Sequence, residues 1–553
     1  MTLIHADRAP ARTTEVSTTR TAHGSATGMW TLVRFMLRRD RVKQPAWLAG
    51  MALFVLYVGA AVPQIAPTEA DLAGAVPMLQ QPVGRMFAGP GYGLEAPTYA
   101  RFFAAGYLLY LFLMSALMSI FLVTRHTRAE EQSGRAELVR ASVVGRHAAL
   151  TAVLVVALAS NVLAGLVVAV TAIAMGFAVT GSLVAGAAVG AIGMAFAGIT
   201  AVTVQLSEYS RSASGLAGAV LGVAFLLRAV GDMVRIGGSP LSWLSPLGWG
   251  AQSAPYVLDR WWPLLLDLAL AAVTIAAAYW LQSRRDLGAS LVAARPGRAS
   301  ARPLLGTPWG LAMRLQWGAA LAWGSAVVLM GVVDGLFTQT MIDSVNDLPP
   351  ALKDMFGAGL TDGYLAFLAI FSGYLTAAYV VFAVLTLRRE EARGRAEAVL
   401  ATPTSRAAWA GSHLGVVALL ATLVMVAAGT LTGVAAAGVT GDWSLLWPEL
   451  LAHLNMVPPL LFVLGLCALL YGWAPGLLAP VGWALVAVMV FVGNFAALLK
   501  VPDWVTNLSP LSYPAQVPVE DVDVVPLLVL TGLAVLGVVL GLVGLRRRQV
   551  LLR

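Results

Sequence analysis

The chain has 553 residues, 59% of them hydrophobic and only 12% charged, with a mean hydropathy of +0.78. A soluble domain carries about a quarter charged residues, so this composition excludes a soluble globular protein and indicates one that crosses a membrane many times. The formal net charge of +8 does not signal a nucleic-acid partner, because the basic residues gather on one side of the membrane, as the order of the spans shows.

Residues 1–28 are polar, rich in Thr, Ala and Arg and without periodicity, and are expected to form a disordered cytosolic tail. Residues 29–43 place Arg34, Arg38 and Arg41 on one helical face and Trp30, Val33, Met36 and Leu37 on the other, the pattern of a helix lying on the inner membrane surface. A hydrocarbon core about 30 Å thick needs about 20 apolar residues in a helix. Twelve segments meet that need: 45–63, 101–124, 148–178, 182–206, 213–232, 263–282, 316–335, 363–387, 411–439, 448–471, 474–499 and 525–545. Between the sixth and seventh lies a basic linker, 283–308, with Pro296, Pro303 and Pro308, followed by WGLAMRLQW at 309–317 as a second, weaker surface helix. With the N-terminus in the cytosol, most of the 36 Lys and Arg fall on the inner side and most of the 28 Asp and Glu do not. That bias fixes the orientation and puts both termini in the cytosol, the basic tail 546–553 anchoring the last span. The pairs Gly186/Gly190, Gly218/Gly222 and Gly537/Gly541 suit close helix packing in lipid.

The chain also repeats. Glu130, Glu131, Gly134, Arg135, Glu137 and Arg146 align at one constant offset with Glu390, Glu391, Gly394, Arg395, Glu397 and Arg406. LSPLGW at 244–249 pairs with LSPLSY at 508–513, and RMFAG at 85–89 echoes DMFGA at 354–358. The fold class expected is therefore all-α and polytopic, with twelve transmembrane helices as two parallel six-helix repeats: a first half at 29–282 and a second at 309–545. Each charged nonapeptide falls between the second and third span of its half, in the cytosol. Glu131 and Glu391 precede Arg135 and Arg395 by four residues, the order that supports a helix. Glu130, Gly134, Glu137 and Ala141 then make an acidic stripe, repeated by Glu390, Gly394, Glu397 and Ala401, with a glycine that admits another backbone. One copy is as well explained by a solvated, salt-bridged loop; two copies favour a docking surface.

RAEEQSGRAELVRASVVGR (128–146), RREEARGRAEAVLATPTSR (388–406), the two LSPL segments and the six-plus-six layout resemble the permease subunits of ABC-2-type ABC exporters. The resemblance is to the fused, double-length permeases of actinobacterial polyketide-antibiotic (tetronasin-type) exporters, and it covers most of the chain after residue 30. It implies an ABC-2 (type V exporter-like) fold in a bacterial plasma membrane. It also implies that the two charged segments couple to an ABC ATPase subunit, two copies per permease, which binds ATP and Mg. The role of an outer gate falls by the same resemblance on the LSPL segments: Ser245, Pro246, Ser509 and Pro510, with the prolines interrupting helices. Independently of it, Lys43, Lys353 and Lys500 are the only lysines and none sits in a P-loop, whose phosphate-binding lysine is indispensable. No cofactor is expected on this chain. Cys467 is its single cysteine, no metal site is expected, and no nucleophile or base constellation marks an enzyme. The abundance of Ala, Gly, Val and Arg against three lysines points to a G+C-rich bacterial genome.

By the same resemblance a substrate path runs between the second and fifth span of each half. Those spans carry Tyr107, Tyr110, Met114, Met118, Phe225, Tyr374, Tyr379, Phe382, Met489, Phe491 and Asn494. The set suits a lipophilic small molecule better than an ion or a sugar, although ordinary helix packing and lipid contact explain any one of these residues as well. A different class, a proton-driven twelve-helix secondary drug transporter, shares the span count. It needs an ionisable group deep in the membrane, whereas Asp267, Asp334 and Glu208 stand toward span ends. A non-transporting, lipid-handling scaffold on the same plan is a third possibility.

Overall fold

The computed structural model describes residues 26–141, 144–285, 300, 303–344, 360–499 and 501–548. Most of the N-terminal tail, most of the 283–308 linker, the DMFGA echo and the end of the basic tail lie outside the described residues. Among those described, every regular element is helical, and eleven helices are long and apolar enough to cross a membrane.

The principal helices are α1 (Met29–Arg39), α2 (Lys43–Ile65), α3 (Tyr99–His126), α4 (Arg128–Gln132), α5 (Arg135–Arg140), α6 (Ala148–Ala174), α7 (Val179–Leu206), α8 (Ser210–Val234), α9 (Pro246–Gln252) and α10 (Trp262–Ser283). They continue as α11 (Pro308–Leu336), α12 (Leu360–Ala392), α13 (Arg395–Leu400), α14 (Arg406–Thr440), α15 (Leu446–Asn455), α16 (Val457–Trp473), α17 (Leu478–Leu499) and α18 (Val524–Arg547). The chain is a multi-pass membrane protein. It divides into two compact units, one of residues 1–57, 108–228 and 242–294, the other of 58–107, 229–241 and 295–553.

Some expectations need refinement. The tenth expected span lies within one candidate membrane span, Trp443–Trp473, in which α15 gives way to α16 at Met456. Pro458 and Pro459 bring no N–H to the ladder, so a new helix starts there. The second surface helix does not stand alone. Thr307 accepts a hydrogen bond from the Gly310 N–H at 3.1 Å, and α11 runs unbroken from Pro308 through 309–317. Helix α1 exists, but its apolar face is divided. Val33 and Met36 are buried against Leu122, Val123, Leu150 and Val153, while Trp30 and Leu37 are 64% and 49% exposed.

Apolar side chains gain nothing by leaving lipid for a helix neighbour, so close backbone approach has to hold helices together. A Cβ on Gly186 would stand 2.2 Å from the Gly165 carbonyl oxygen, so α6 and α7 touch backbone to backbone. In the second unit a Cβ on Gly541 would stand 2.3 Å from the Ala468 carbonyl oxygen, and one on Gly472 would stand 2.1 Å from that of Gly541, where α16 meets α18. Gly218 and Gly222 are different: no atom lies within 4 Å of a Cβ at either. The Gly218/Gly222 pair is thus no packing seam among the described residues. Gly541→Val should lower the detergent-solubilised melting temperature by about 5 °C or more, whereas Gly218→Ala should leave it within about 1 °C, read by thermal-shift fluorescence.

Candidate functional site

The first charged segment is not one helix. Helix α3 gives way to α4 and then α5, with Gly134 between them at φ +73°. That left-handed value is strained for any residue with a Cβ. A Cβ on Gly134 would meet nothing within 4 Å, so the glycine serves the turn and not, within this chain, the approach of a backbone. The turn also changes the pairing. Glu130, not Glu131, holds Arg135, with Arg135 Nε 2.8 Å from Oε2 and Nη2 3.0 Å from Oε1. Arg39 of α1 donates to the same carboxylate. Glu131 turns inward. It accepts from Arg128, which is fully buried, and from Arg285, whose Nη2 and Nη1 stand 2.7 and 3.0 Å away. Arg285 follows α10, and its Nε donates to Gln205 Oε1 of α7 at 2.5 Å.

The second segment is built the same way. Helix α12 runs to Ala392, Gly394 takes φ +71°, and α13 begins at Arg395. Arg395 Nε donates to Glu390 Oε2 at 2.8 Å. Glu391 is buried and accepts from Arg548, just past α18, at 2.8 Å and from the Tyr471 hydroxyl of α16 at 2.7 Å. Arg548 lies 5.2 Å over the Tyr471 ring. Arg146 donates to the Ser283 carbonyl at 2.7 Å, and Arg406 to that of Arg548 at 2.8 Å. In each unit, then, one acid makes an outer pair across a glycine turn, and the next acid is clamped by the arginine after the last long helix. The hydrogen bonds from Arg135 and Arg395 to their glutamates hold both guanidinium groups above their ordinary pKa. Glu137 and Glu397 remain exposed.

The residues expected along the path fall into three groups. Tyr374, buried, lines a cavity of about 560 Å³ in the second unit together with Phe367, Ile370, Thr506, Asn507 and Ser509. A Cβ on Gly493 would lie 1.4 Å from the Tyr374 hydroxyl, so this glycine makes room for that ring. Met118, Tyr379 and Met489 are fully buried, the last two within the second unit's apolar core. Tyr107, Met114, Phe225, Phe382 and Asn494 are half-buried, while Tyr110 and Phe491 are exposed.

The prolines of the LSPL segments do not interrupt helices; they start them, because a first-turn N–H has no intrahelical acceptor to lose. Pro246 opens α9, where Ser245 accepts from the Gly248 N–H at 3.4 Å and donates to the Ala224 carbonyl at 2.6 Å. Pro510 opens a single 3₁₀ turn, Pro510–Ser512, next to buried Ser509. This second segment stands between the 560 Å³ cavity and a further one of about 300 Å³ lined by Phe462, Pro510, Tyr513, Val529 and Leu533.

Sequence alone gives no sign of several partners. Asp40, buried at the end of α1, holds Arg125 at 2.6 Å and His126 at 2.7 Å. Arg285, Arg548 and Tyr471 reach their acids from far along the chain. Glu449 and His453, both without exposure, sit on α15; their i, i+4 spacing inside an apolar run is the signal that marks them.

Such helices, with acids clamped at the ends of apolar bundles and a half-polar cavity within one unit, define a membrane permease. The model of the family described as multidrug efflux system permease Rv1217c, C-terminal domain, matches residues 31–281 and 305–546, and the chain belongs to that family. The multidrug efflux system permease protein Rv1217c of Mycobacterium tuberculosis (strain ATCC 25618 / H37Rv) is 36% identical over 532 residues, which is 95% of each chain.

Removing one partner of a buried pair strands the other, whereas a surviving partner that still reaches water loses little. Glu391→Ala should therefore cost about 3 kcal/mol, and Glu390→Ala, whose partner Arg395 is half exposed, under about 1 kcal/mol. Chemical denaturation in detergent followed by Trp fluorescence measures both.

Proposed function

We propose that this chain is the permease of an ATP-driven exporter of lipophilic drugs or antibiotics. In this reading it has the ABC-2 plan of twelve spans in two parallel repeats, in a bacterial plasma membrane with both termini cytosolic. ATP and Mg are bound by a separate ABC ATPase, two copies per permease, seated on the two glycine-turn segments. Enzyme chemistry lies on that partner and not on this chain.

The observation that carries the proposal is the duplicated construction around Glu130/Arg135/Glu131/Arg285 and Glu390/Arg395/Glu391/Arg548. Each turn is braced to the last long helix of its own set. A push on the exposed faces of α5 and α13 therefore moves the ends of long helices instead of bending a loose loop. Kinship with a multidrug efflux permease supports drug export. The cavity beside Tyr374 supports a molecule with an apolar body and hydrogen-bonding oxygens, since aromatic and aliphatic walls face Thr506, Asn507, Ser509 and Ser512. Ser509 and Pro510 then stand as the gate between that cavity and the exit. The first unit's Ser245 and Pro246 take the equivalent part.

Glu137 and Glu397 are exposed and unclamped by the braces, so they test docking without disturbing the fold. The double variant Glu137→Ala/Glu397→Ala should lower drug efflux by about tenfold or more at equal expression and unchanged melting temperature, and should recover less ATPase in a mild-detergent pull-down. Wild-type efflux with undiminished ATPase recovery would remove the docking assignment.

A further inference from the structure

In the second unit α15 carries a polar arrangement remote from the glycine turns. Glu449 and His453 lie four residues apart, both at 0% exposure. His453 Nδ1 stands 3.0 Å from the Glu449 carbonyl oxygen and 3.2 Å from Glu449 Oε1. A carbonyl oxygen only accepts, so Nδ1 carries the hydrogen. On the far side of the ring, Nε2 lies 3.2 Å from Ser372 Oγ of α12. Neither carboxyl oxygen of Glu449 has a hydrogen bond among the described residues. The ring is held tightly: a Cβ on Gly429 of α14 would come within 2.7 Å of His453 Cβ.

We propose that Glu449 and His453 form a proton-binding site whose occupancy sets the hydrogen bond to Ser372 and, through α12 and α15, the position of the segment around Leu511. Loaded with one proton, the pair is neutral as carboxylate and imidazolium. Unloaded, it leaves one uncompensated carboxylate in an apolar surround, which is strongly disfavoured. In the imidazole form Nε2 accepts from the Ser372 hydroxyl. In the imidazolium form Nε2–H donates to it, so the serine must rotate.

The consequences leave the site along one helical turn. Ser372 meets His453. A Cβ on Gly373 would lie 3.3 Å from Leu511 and 3.9 Å from Met456 Cβ, and Tyr374 lines the 560 Å³ cavity. Asn455 of α15 also donates to the Ala515 carbonyl at 2.7 Å. The titratable neighbours are few. Asp334 of α11 and Tyr364 of α12 lie within electrostatic reach of Glu449, and the Tyr364 hydroxyl donates to the Asp334 carbonyl at 2.8 Å. Asp442, ahead of α15, holds Ser444. Gly429 and Gly433 face α15 from α14 with no charge. Calling the segment at Leu511 an exit gate rests on the export reading; the proton site and its linkage to that segment do not.

The test uses the full chain in lipid nanodiscs without nucleotide, drug or ATPase. An environment-sensitive fluorophore is attached at Tyr513→Cys in a Cys467→Ser background. Its emission should shift as the bulk pH is raised and the site gives up its proton. His453→Gln should abolish the shift, and Glu449→Gln, which removes the carboxylate that a buried imidazolium needs, should hold the emission of the unloaded state at every pH. Ser372→Ala removes only one hydroxyl and should reduce the shift by about fivefold, which guards against misfolding of the other two variants. An emission independent of pH in the parent, or a full shift surviving in Ser372→Ala and His453→Gln, overturns the proposal. If the parent chain, given ATP and an ATPase partner in a separate vesicle assay, exports no drug while the shift is intact, that result counts against the exporter reading alone.

Discussion

In each unit a glutamate largely shielded from water is clamped by the arginine that follows the last long helix of its set. Glu131 with Arg285 and Glu391 with Arg548 close the charged ends of their helices, and the surrounding geometry follows from that. An acid at the edge of an apolar bundle needs a cation with fixed planar geometry, and arginine provides it better than lysine. Additional donors complete the shell: Arg128 in the first unit and the Tyr471 hydroxyl in the second. The preceding acid is then left for the outer pair. Only a left-handed residue between acid and base lets Glu130 reach Arg135 and Glu390 reach Arg395, which accounts for the two glycines.

The rest of each unit is assembled by contacts that do not depend on water. Where helices must touch, glycines bring backbones together, as at Gly165/Gly186 and Gly472/Gly541. Where side chains must be polar, they bond to one another: Asn161 Nδ2 donates to Ser119 Oγ at 2.9 Å, and Ser115 Oγ donates to the Val189 carbonyl at 2.8 Å. Against that economical background two fully buried carboxyls, Asp267 and Glu449, stand without a hydrogen bond among the described residues, and a 560 Å³ cavity mixes rings with hydroxyls.

Sequence revealed the spans because a 20-residue apolar run has one common structure in lipid. It revealed the recurrence of the charged segments because identical residues at a constant offset need no structural knowledge. The breakpoint at Met456 was less legible, since hydropathy does not register two prolines inside an apolar stretch. The i, i+4 pairing of Glu131 with Arg135 presumed a continuous helix; Gly134 breaks it and moves the pair to Glu130. Arg285 and Arg548 could not be read as partners, because their acids lie 154 and 157 residues earlier and only the folded chain joins them. Trp30 and Leu37 looked equivalent to Val33 and Met36 on a helical wheel, but only the latter two find a protein surface.

Those long separations bear on how the protein is made. Each clamped acid emerges from the ribosome well before the arginine that will hold it. Until then it must wait at the aqueous boundary, since entering the bilayer alone as an anion is too costly. The set of helices begun before Glu131 therefore cannot settle until the segment ending in Arg285 has been inserted. That happens before Glu391 is synthesised, so the first unit can mature while the second is still being translated. The clamps thus act as checkpoints in biogenesis: each closes only when its own complement of helices is aboard.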